Sequence, residues 1–155
     1  MSVPQKNTVN KSERSANKLF VYGTLRNDYG HKLYSLLKDN FELIGKGVIK
    51  GKLFDIGKYP GAIISNADNN KIVGEIYQVK DAACIDSVFK VLDKYEGYDV
   101  NDKFSSEYIR KRKLVKLKNG KKVLSWVYIY NKPIANKHLI ESGDYINHIS
   151  KKKAP

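Results

Sequence analysis

Leu19-Phe20-Val21-Tyr22-Gly23-Thr24-Leu25-Arg26 is the stretch on which the reading of this chain turns. Leu19 to Val21 is a short continuous apolar run, which reads as a buried strand. The strand runs into Gly23 and the small hydroxyl residue Thr24. A turn of that composition presents backbone N–H groups that no side chain screens, so it can hold a carboxylate or a phosphate. A second informative stretch lies far along the chain, Leu92-Asp93-Lys94-Tyr95-Glu96-Gly97. It closes a segment in which Ile85, Val88, Phe89 and Leu92 recur at i, i+3, i+4 and i+7, one buried stripe of a helix. Asp81 is the expected N-cap and Gly97 the expected stop. Glu96 then falls in the last turn or just past it, where the helix dipole disfavours a negative charge.

Working outward, Lys18 to Tyr22 is the first expected strand, and Leu33, Leu36 and Leu37 predict a short helix over 31–38. Residues 41–56 alternate loosely and are interrupted by Gly45, Gly47 and Gly51, which suits a strand pair or one strongly bent strand. A turn over 57–61 leads to strands over 62–65 and 72–79. Residues 107–117 and 121–130 form the clearest hairpin, with Asn119-Gly120 as its turn signal. A two-residue turn sets Arg110 opposite Ile129, with Trp126, Tyr128 and Tyr130 on the face of Ile109 and Val115. A last helix is expected within 140–149, with Ser142 as a cap. Many short strands and two or three helices imply an α+β domain on a small curved sheet or barrel. The expected organisation is a polar flexible tail over 1–17, one domain over 18–150 and a basic tail over 151–155.

The composition sets bounds. A chain of 155 residues with 41% hydrophobic residues can bury a core without covalent staples. Cys84 is the one cysteine, and His31, His138 and His148 are scattered, so neither a disulfide nor a zinc-spaced cluster is expected. The first 17 residues lack the apolar stretch of a signal peptide, and no run approaches the ~20 apolar residues that span a bilayer. The expected compartment is the cytoplasm. The net charge is +13, and residues 110–122 hold eight basic side chains and no acidic one. Such charge favours anionic partners. No nucleic-acid motif accompanies it, so a solvated lysine-rich surface is the simpler reading and nucleic acid an unfavoured partner.

The first two stretches keep order with Tyr59-Pro60-Gly61-Ala62, Gly74-Glu75-Ile76-Tyr77, Tyr108-Ile109-Arg110, Trp126-Val127-Tyr128-Ile129-Tyr130 and Leu139-Ile140-Glu141-Ser142-Gly143-Asp144-Tyr145. The ordered set resembles the gamma-glutamylcyclotransferase-like family over roughly residues 18–147. The resemblance implies a small, mostly antiparallel β-barrel flanked by short helices, with a cavity between the Tyr22 loop and the Glu96 segment. It implies conversion of a γ-glutamyl amine or amino acid to 5-oxoproline and a free amine, with no metal and no organic cofactor. Glu96 would be the general acid and base. Tyr22, Gly23, Thr24, Leu25 and Arg26 would bind the substrate, and Tyr128 would offer a hydroxyl to the cavity.

Each residue also has a plainer reading. From position alone Glu96 is a solvated helix-end residue. Glu75 is a rival carboxylate within a strand, Asp93 a surface or orienting residue, and Tyr22 a core residue whose hydroxyl meets a backbone group. Arg110 is expected to pair with a buried carboxylate such as Asp55 or Glu75. A binding module that uses the same pocket without chemistry is the alternative function. The sequence leaves the leaving amine and the oligomeric state open.

Overall fold

In the computed structural model, residues 17–23, 34–65 and 69–153 are described. Thr24, Leu25 and Arg26 lie outside the described residues, as do residues 1–16 of the expected tail and the start of the helix expected over 31–38. The chain runs β1 (Lys18–Val21), α1 (Tyr34–Asn40), β2 (Phe41–Asp55), β3 (Pro60–Ile64), β4 (Lys71–Val79), α2 (Ile85–Tyr95), β5 (Tyr108–Leu117), β6 (Lys122–Tyr130), β7 (His138–Leu139) and α3 (Tyr145–Lys153). Five strands close a barrel in the order β2-β4-β1-β6-β5, and β5 returns to β2 through Gly47–Leu117 and Val48–Lys116. All neighbours in the ring are antiparallel except β1 and β6. The expected small barrel flanked by short helices is the fold that is present.

The glycine-broken stretch after α1 is one long strand, not a pair. A bulge between Leu43 and Gly45 re-aims it along β4, and its far end also pairs with β3 and β7. An extra residue on one strand bends it and raises its twist, which helps one strand serve several partners.

Successive residues of the strands feed two apolar cores. Phe20, Ile49, Leu53, Ile72, Ile76, Val115 and Val127 fill the barrel. Leu19, Val21, Phe41 and Tyr77 face outward, where Leu37 of α1 and Val88, Phe89 and Leu92 of α2 cover them. The helical stripe read in the sequence is therefore the lid of the second core. Ile85, the fourth member, is only partly buried against it. Asp81 does cap this segment, by accepting from the Ala83 N–H at 3.0 Å, but it opens a 3-10 turn (Ala82–Cys84) that runs into α2.

The hairpin register differs by one residue from the two-residue expectation. Arg110 opposes Tyr128, and Lys116 opposes Lys122. The Gly120 N–H donates to the Leu117 carbonyl at 3.0 Å, and the Leu117 N–H to the Lys121 carbonyl at 2.8 Å. Gly120 has φ 85°, so it takes the left-handed position after a type I turn rather than the centre of a primed turn. The slip puts Arg110 and Arg112 on the face of Trp126, Tyr128 and Tyr130. Both guanidinium groups lie over the Trp126 ring, at 4.5 and 5.4 Å from its centroid.

The last helix is capped by Asp144, not Ser142. The Asp144 carboxylate accepts from the N–H groups of Ile146 and Asn147 at 3.1 and 3.3 Å. The Ser142 hydroxyl meets the backbone of Asp144 itself. The helix continues to Lys153, past the expected domain end at 150. There the ammonium of Lys152 and, at 2.8 Å, Nε2 of His148 meet Asp55 at the end of β2.

Candidate active site

β1 delivers Tyr22 and Gly23 to one end of a cavity of about 140 Å³, walled along the strand by Leu19 to Val21. Tyr59 and Pro60, Tyr95 and Glu96, Glu107 and Tyr108, and Tyr128 complete the wall. The volume is well below the ~300–1,000 Å³ of pockets for drug-sized ligands, so it suits a group about the size of one amino acid. The structure therefore brings together Tyr22, Gly23, Glu96 and Tyr128 of the expected site residues, while Thr24, Leu25 and Arg26 fall outside the described residues.

Glu96 is held where it is by the way α2 ends. It is the C-cap residue, its N–H donating to the Leu92 carbonyl at 2.9 Å. Gly97 follows at φ 67°, a left-handed conformation that glycine adopts without a Cβ clash. The Tyr98 N–H then reaches back to the Asp93 carbonyl at 2.8 Å, and the chain leaves the helix.

The Glu96 carboxyl is pushed up to about 8. Burial in the cavity wall is the largest cause, and the negative charges of Glu107 and then Asp93 add to it. Each cause disfavours the ionised form.

Asp93, one turn earlier, has the opposite surroundings. Arg110 grips both its oxygens, at 2.9 and 3.2 Å, and the Tyr128 hydroxyl donates to it at 2.6 Å. The partner of Arg110 is therefore Asp93, not Asp55 or Glu75, because the one-residue slip of the hairpin turns Arg110 toward α2. There its guanidinium also lies 4.6 Å from the Phe89 ring centroid. Glu75 is buried and receives the Tyr77 hydroxyl at 3.2 Å, and it is not part of the cavity wall.

The tyrosines are fixed by hydrogen bonds rather than left loose. The Tyr22 hydroxyl donates to the Tyr128 carbonyl at 2.5 Å and accepts from the Ala62 N–H at 3.3 Å. The Tyr108 hydroxyl donates to the Pro60 carbonyl at 2.6 Å. Burial is the largest cause that raises the Tyr22, Tyr108 and Tyr128 phenols well above their ordinary value, helped by the charge of Glu96 at Tyr22 and Tyr108 and chiefly by Asp93 at Tyr128, so they stay protonated donors.

Glu107 is the wall residue that sequence reasoning missed. The polar loop over 98–106 folds back on itself. The Ser106 hydroxyl accepts from the Asp99 N–H at 2.9 Å and donates to the Asp102 carbonyl at 2.9 Å. The Glu107 N–H then donates to the Gly97 carbonyl at 3.0 Å. A long separation in sequence is a short step in space, and it sets a second carboxylate beside Glu96. Tyr59, within the turn expected over 57–61, donates its hydroxyl to Glu107. That bond, with burial, pushes the Tyr59 phenol up to about 12. The available signal was the Gly97 stop with a Ser- and Asp-rich loop behind it, a composition that closes on its own backbone.

Among the described residues, no group of His, Cys, Asp and Glu side chains is placed to hold a metal ion. No helix among them is long and apolar enough to cross a membrane.

The profile of a family described as gamma-glutamyl cyclotransferase, AIG2-like, matches residues 19–147. The chain is 29% identical over 131 residues to the gamma-glutamylcyclotransferase family protein YtfP of Escherichia coli K12, covering 84% of this chain and 96% of that one. The solution structure of Escherichia coli YtfP superposes with a TM-score of 0.55 over 85% of this chain and 98% of that one. The crystal structure of YkqA from Bacillus subtilis, 31% identical, gives a TM-score of 0.60 over 90% of this chain. This chain spans 44% of the length of YkqA. A mouse AIG2-like protein, 22% identical with a TM-score of 0.55 over 73% of this chain and 76% of that one, shares the fold.

Proposed function

The chain belongs to the gamma-glutamylcyclotransferase, AIG2-like family, and we propose that it releases 5-oxoproline from a γ-glutamyl amine or amino acid with Glu96 as general acid and base. The substrate carries an α-ammonium, an α-carboxylate and a γ-amide on one short chain. Glu96 takes a proton from the ammonium. The freed amine attacks the γ-carbonyl carbon and forms the new C–N bond of a five-membered ring. Glu96 returns that proton to the departing nitrogen as the old C–N bond breaks, the second proton shed by the ring nitrogen follows the same route, and the amine leaves as an ammonium. Atoms balance without water: one amide is exchanged for another, and the leaving amine carries both protons away.

The backbone N–H groups of Gly23, Thr24 and Leu25, with Arg26, grip the α-carboxylate and fold the chain for attack. Correctly oriented intramolecular attack can be worth effective molarities of about 10⁵ M or more. Tyr22 and Tyr128 wall the small cavity, which keeps the γ-glutamyl head in its folded form. These steps use a carboxylate and no metal.

The observation that carries the reading is Glu96, a carboxyl enclosed in an amino-acid-sized cavity and raised to about 8. A carboxylate that must both take and give a proton near neutral pH works best with its pKa near the operating pH. The test is 5-oxoproline release from a panel of γ-glutamyl compounds by wild type and Glu96→Gln. Release by wild type with a loss of about 10²–10⁴-fold in the variant is the expected result. Equal turnover by both removes Glu96 from the role. Silence from the wild type across the panel, with thermal protection by the same compounds, favours binding without chemistry.

A further inference from the structure

Apart from Arg110, which Asp93 holds, the basic run over 110–122 has no task in the cavity. Spacing alone does not tell which of its side chains share a face, but the observed register does. Val115 and Val127 fill the barrel, so the residues that alternate with them look outward. On that outer wall Lys116 opposes Lys122, Leu114 opposes Leu124 and Arg112 opposes Trp126. β2 continues the wall, because Val48 pairs with Lys116, and Lys50, two positions on, pairs with Lys71 of β4. Arg112, Lys116, Lys122, Lys50 and Lys71 are all exposed. None of the five forms an ion pair with a described residue, and no acidic residue occurs from 108 to 130. The charge of this wall is therefore uncompensated from within the hairpin.

Two features on the same wall suit flat, uncharged groups. The Arg112 guanidinium rests over the Trp126 ring, 5.4 Å from its centroid, while the side chain stays exposed. Leu114 stands next to it on that face and is 58% exposed. Arg112, Leu114 and Lys116 recur at about 6.8 Å along the strand. A row of cations interrupted by a guanidinium plane and an apolar side chain offers partners for both phosphates and base faces.

From this juxtaposition we propose that the outer face of the β5–β6 hairpin, extended by Lys50 and Lys71, binds a single strand of nucleic acid without sequence preference. The fold favours a single strand over other polyanions. The wall is the outside of a closed barrel and is convex, so a rigid duplex meets it at few phosphates, whereas a flexible strand can follow it. A duplex also hides the base faces that Arg112 and Leu114 would take. A membrane needs an apolar face to insert, and Leu114 is the one large apolar side chain on β5 and β6 that stands well exposed.

The test is fluorescence anisotropy of the full chain with labelled oligouridine of about twelve nucleotides. Wild type should bind in the micromolar range at low salt, and log K should fall against log salt with a slope of about −3. Replacing Arg112→Gln, Lys116→Gln and Lys122→Gln together should weaken binding at least about tenfold and reduce the slope by about 2. The charge-matched control replaces Lys103→Gln, Lys137→Gln and Lys151→Gln, exposed lysines outside this wall, and should stay within about twofold of wild type. Arg112→Lys should weaken binding about fivefold with the slope unchanged, because the charge stays and the plane is lost.

No binding at low salt, equal losses in the two triple variants, or tighter binding to a duplex of the same length or to phosphatidylserine vesicles overturns the proposal. A footprint on wild type decides the matter even if the triple variant fails to fold. Lysine acetylation read by mass spectrometry should show Lys116 and Lys122 protected by the oligonucleotide, with Lys103 and Lys137 still reactive. Protection confined to the lysines of residues 1–16 or 151–153 would place the strand elsewhere and overturn it.

Discussion

Asp93 and Glu96 stand three residues apart at the end of α2, and of these two carboxyl groups Asp93 alone has a basic partner among the described residues. Both face the negative end of the helix dipole, which favours neither charge. Arg110 and Tyr128 compensate Asp93. Glu96 instead receives burial and two carboxylate neighbours. Two carboxyl groups on one helical turn are thereby given different surroundings, one holding the hairpin against the helix and one suited to the proton transfers proposed for it.

The pH profile follows from that contrast. In the proposed reaction the base form of Glu96 takes the first proton, so kcat/KM should climb about tenfold per pH unit on the acid side and level off near pH 8. Removing the Glu107 charge takes away one cause of the raised pKa, so the acid limb should move to lower pH in Glu107→Gln. A ¹³C-NMR titration of the Glu96 carboxyl reads the same shift without turnover. A profile flat from pH 5 to 9 contradicts the assignment.

The Asp93–Arg110 pair predicts a cost that charge alone does not set. Arg110 combines a two-pronged bond to Asp93 with contacts on the faces of Phe89 and Trp126. Lysine keeps the charge but loses the fork and the flat stacking. Arg110→Lys should therefore destabilise by roughly 1–3 kcal/mol, below the ~3–5 kcal/mol for breaking a fully buried pair, because both groups keep some water contact. Urea unfolding checks this, and a change under about 0.5 kcal/mol would show the pair to be a surface one.

What could be read in advance follows the physics of each signal. The stripe of Val88, Phe89 and Leu92 and the stop at Gly97 are local patterns, and both are present. The barrel fold was legible through the ordered motifs. The register of β5 and β6 was not, because Asn119-Gly120 serves a primed two-residue turn or a type I turn with a left-handed glycine, and the two differ by one residue. That slip decided which carboxylate Arg110 meets. Glu107 was only indirectly signalled, by the composition of the loop before it, for a related reason. Its closeness to Glu96 depends on how residues 98–106 close on themselves, and loop closure is fixed by backbone hydrogen bonds that sequence spacing does not encode.

Acid should loosen α3 before it reaches the cavity. Burial works against the charge of Asp55, but hydrogen bonds from Lys152, His148 and the Gly57 N–H outweigh it and hold the carboxyl at about 2. A carboxylate with a depressed folded pKa contributes stability that is present above its unfolded value, near 4. That stability is lost as pH falls toward 2. The contribution is roughly 1–2 kcal/mol after allowance for solvent around Lys152. Asp55→Asn should lower stability at pH 6 by that amount and flatten the decline between pH 4 and 2. Hydrogen exchange should show α3 opening first in the variant, and an unchanged pH dependence would detach Asp55 from the docking of this helix.

Glu96 should act on stability with the opposite sign. Its folded pKa, about 8, lies above the ordinary 4.5. The unfolded chain therefore gives up this proton first, and the folded state is penalised as pH rises through the window between the two values. Below about 4.5 both states are protonated and the penalty is absent. At about 1.4 kcal/mol per pKa unit the full window is an upper bound of roughly 5 kcal/mol. Water at the cavity reduces this to about 1–3 kcal/mol. Glutamine has nearly the same shape and no charge to bury. Glu96→Gln should thus melt higher than wild type at pH 8 and at the same temperature at pH 4, while losing turnover. A variant with wild-type stability at both pH values would mean that Glu96 ionises freely in the folded protein, which removes the raised pKa on which its proposed role rests.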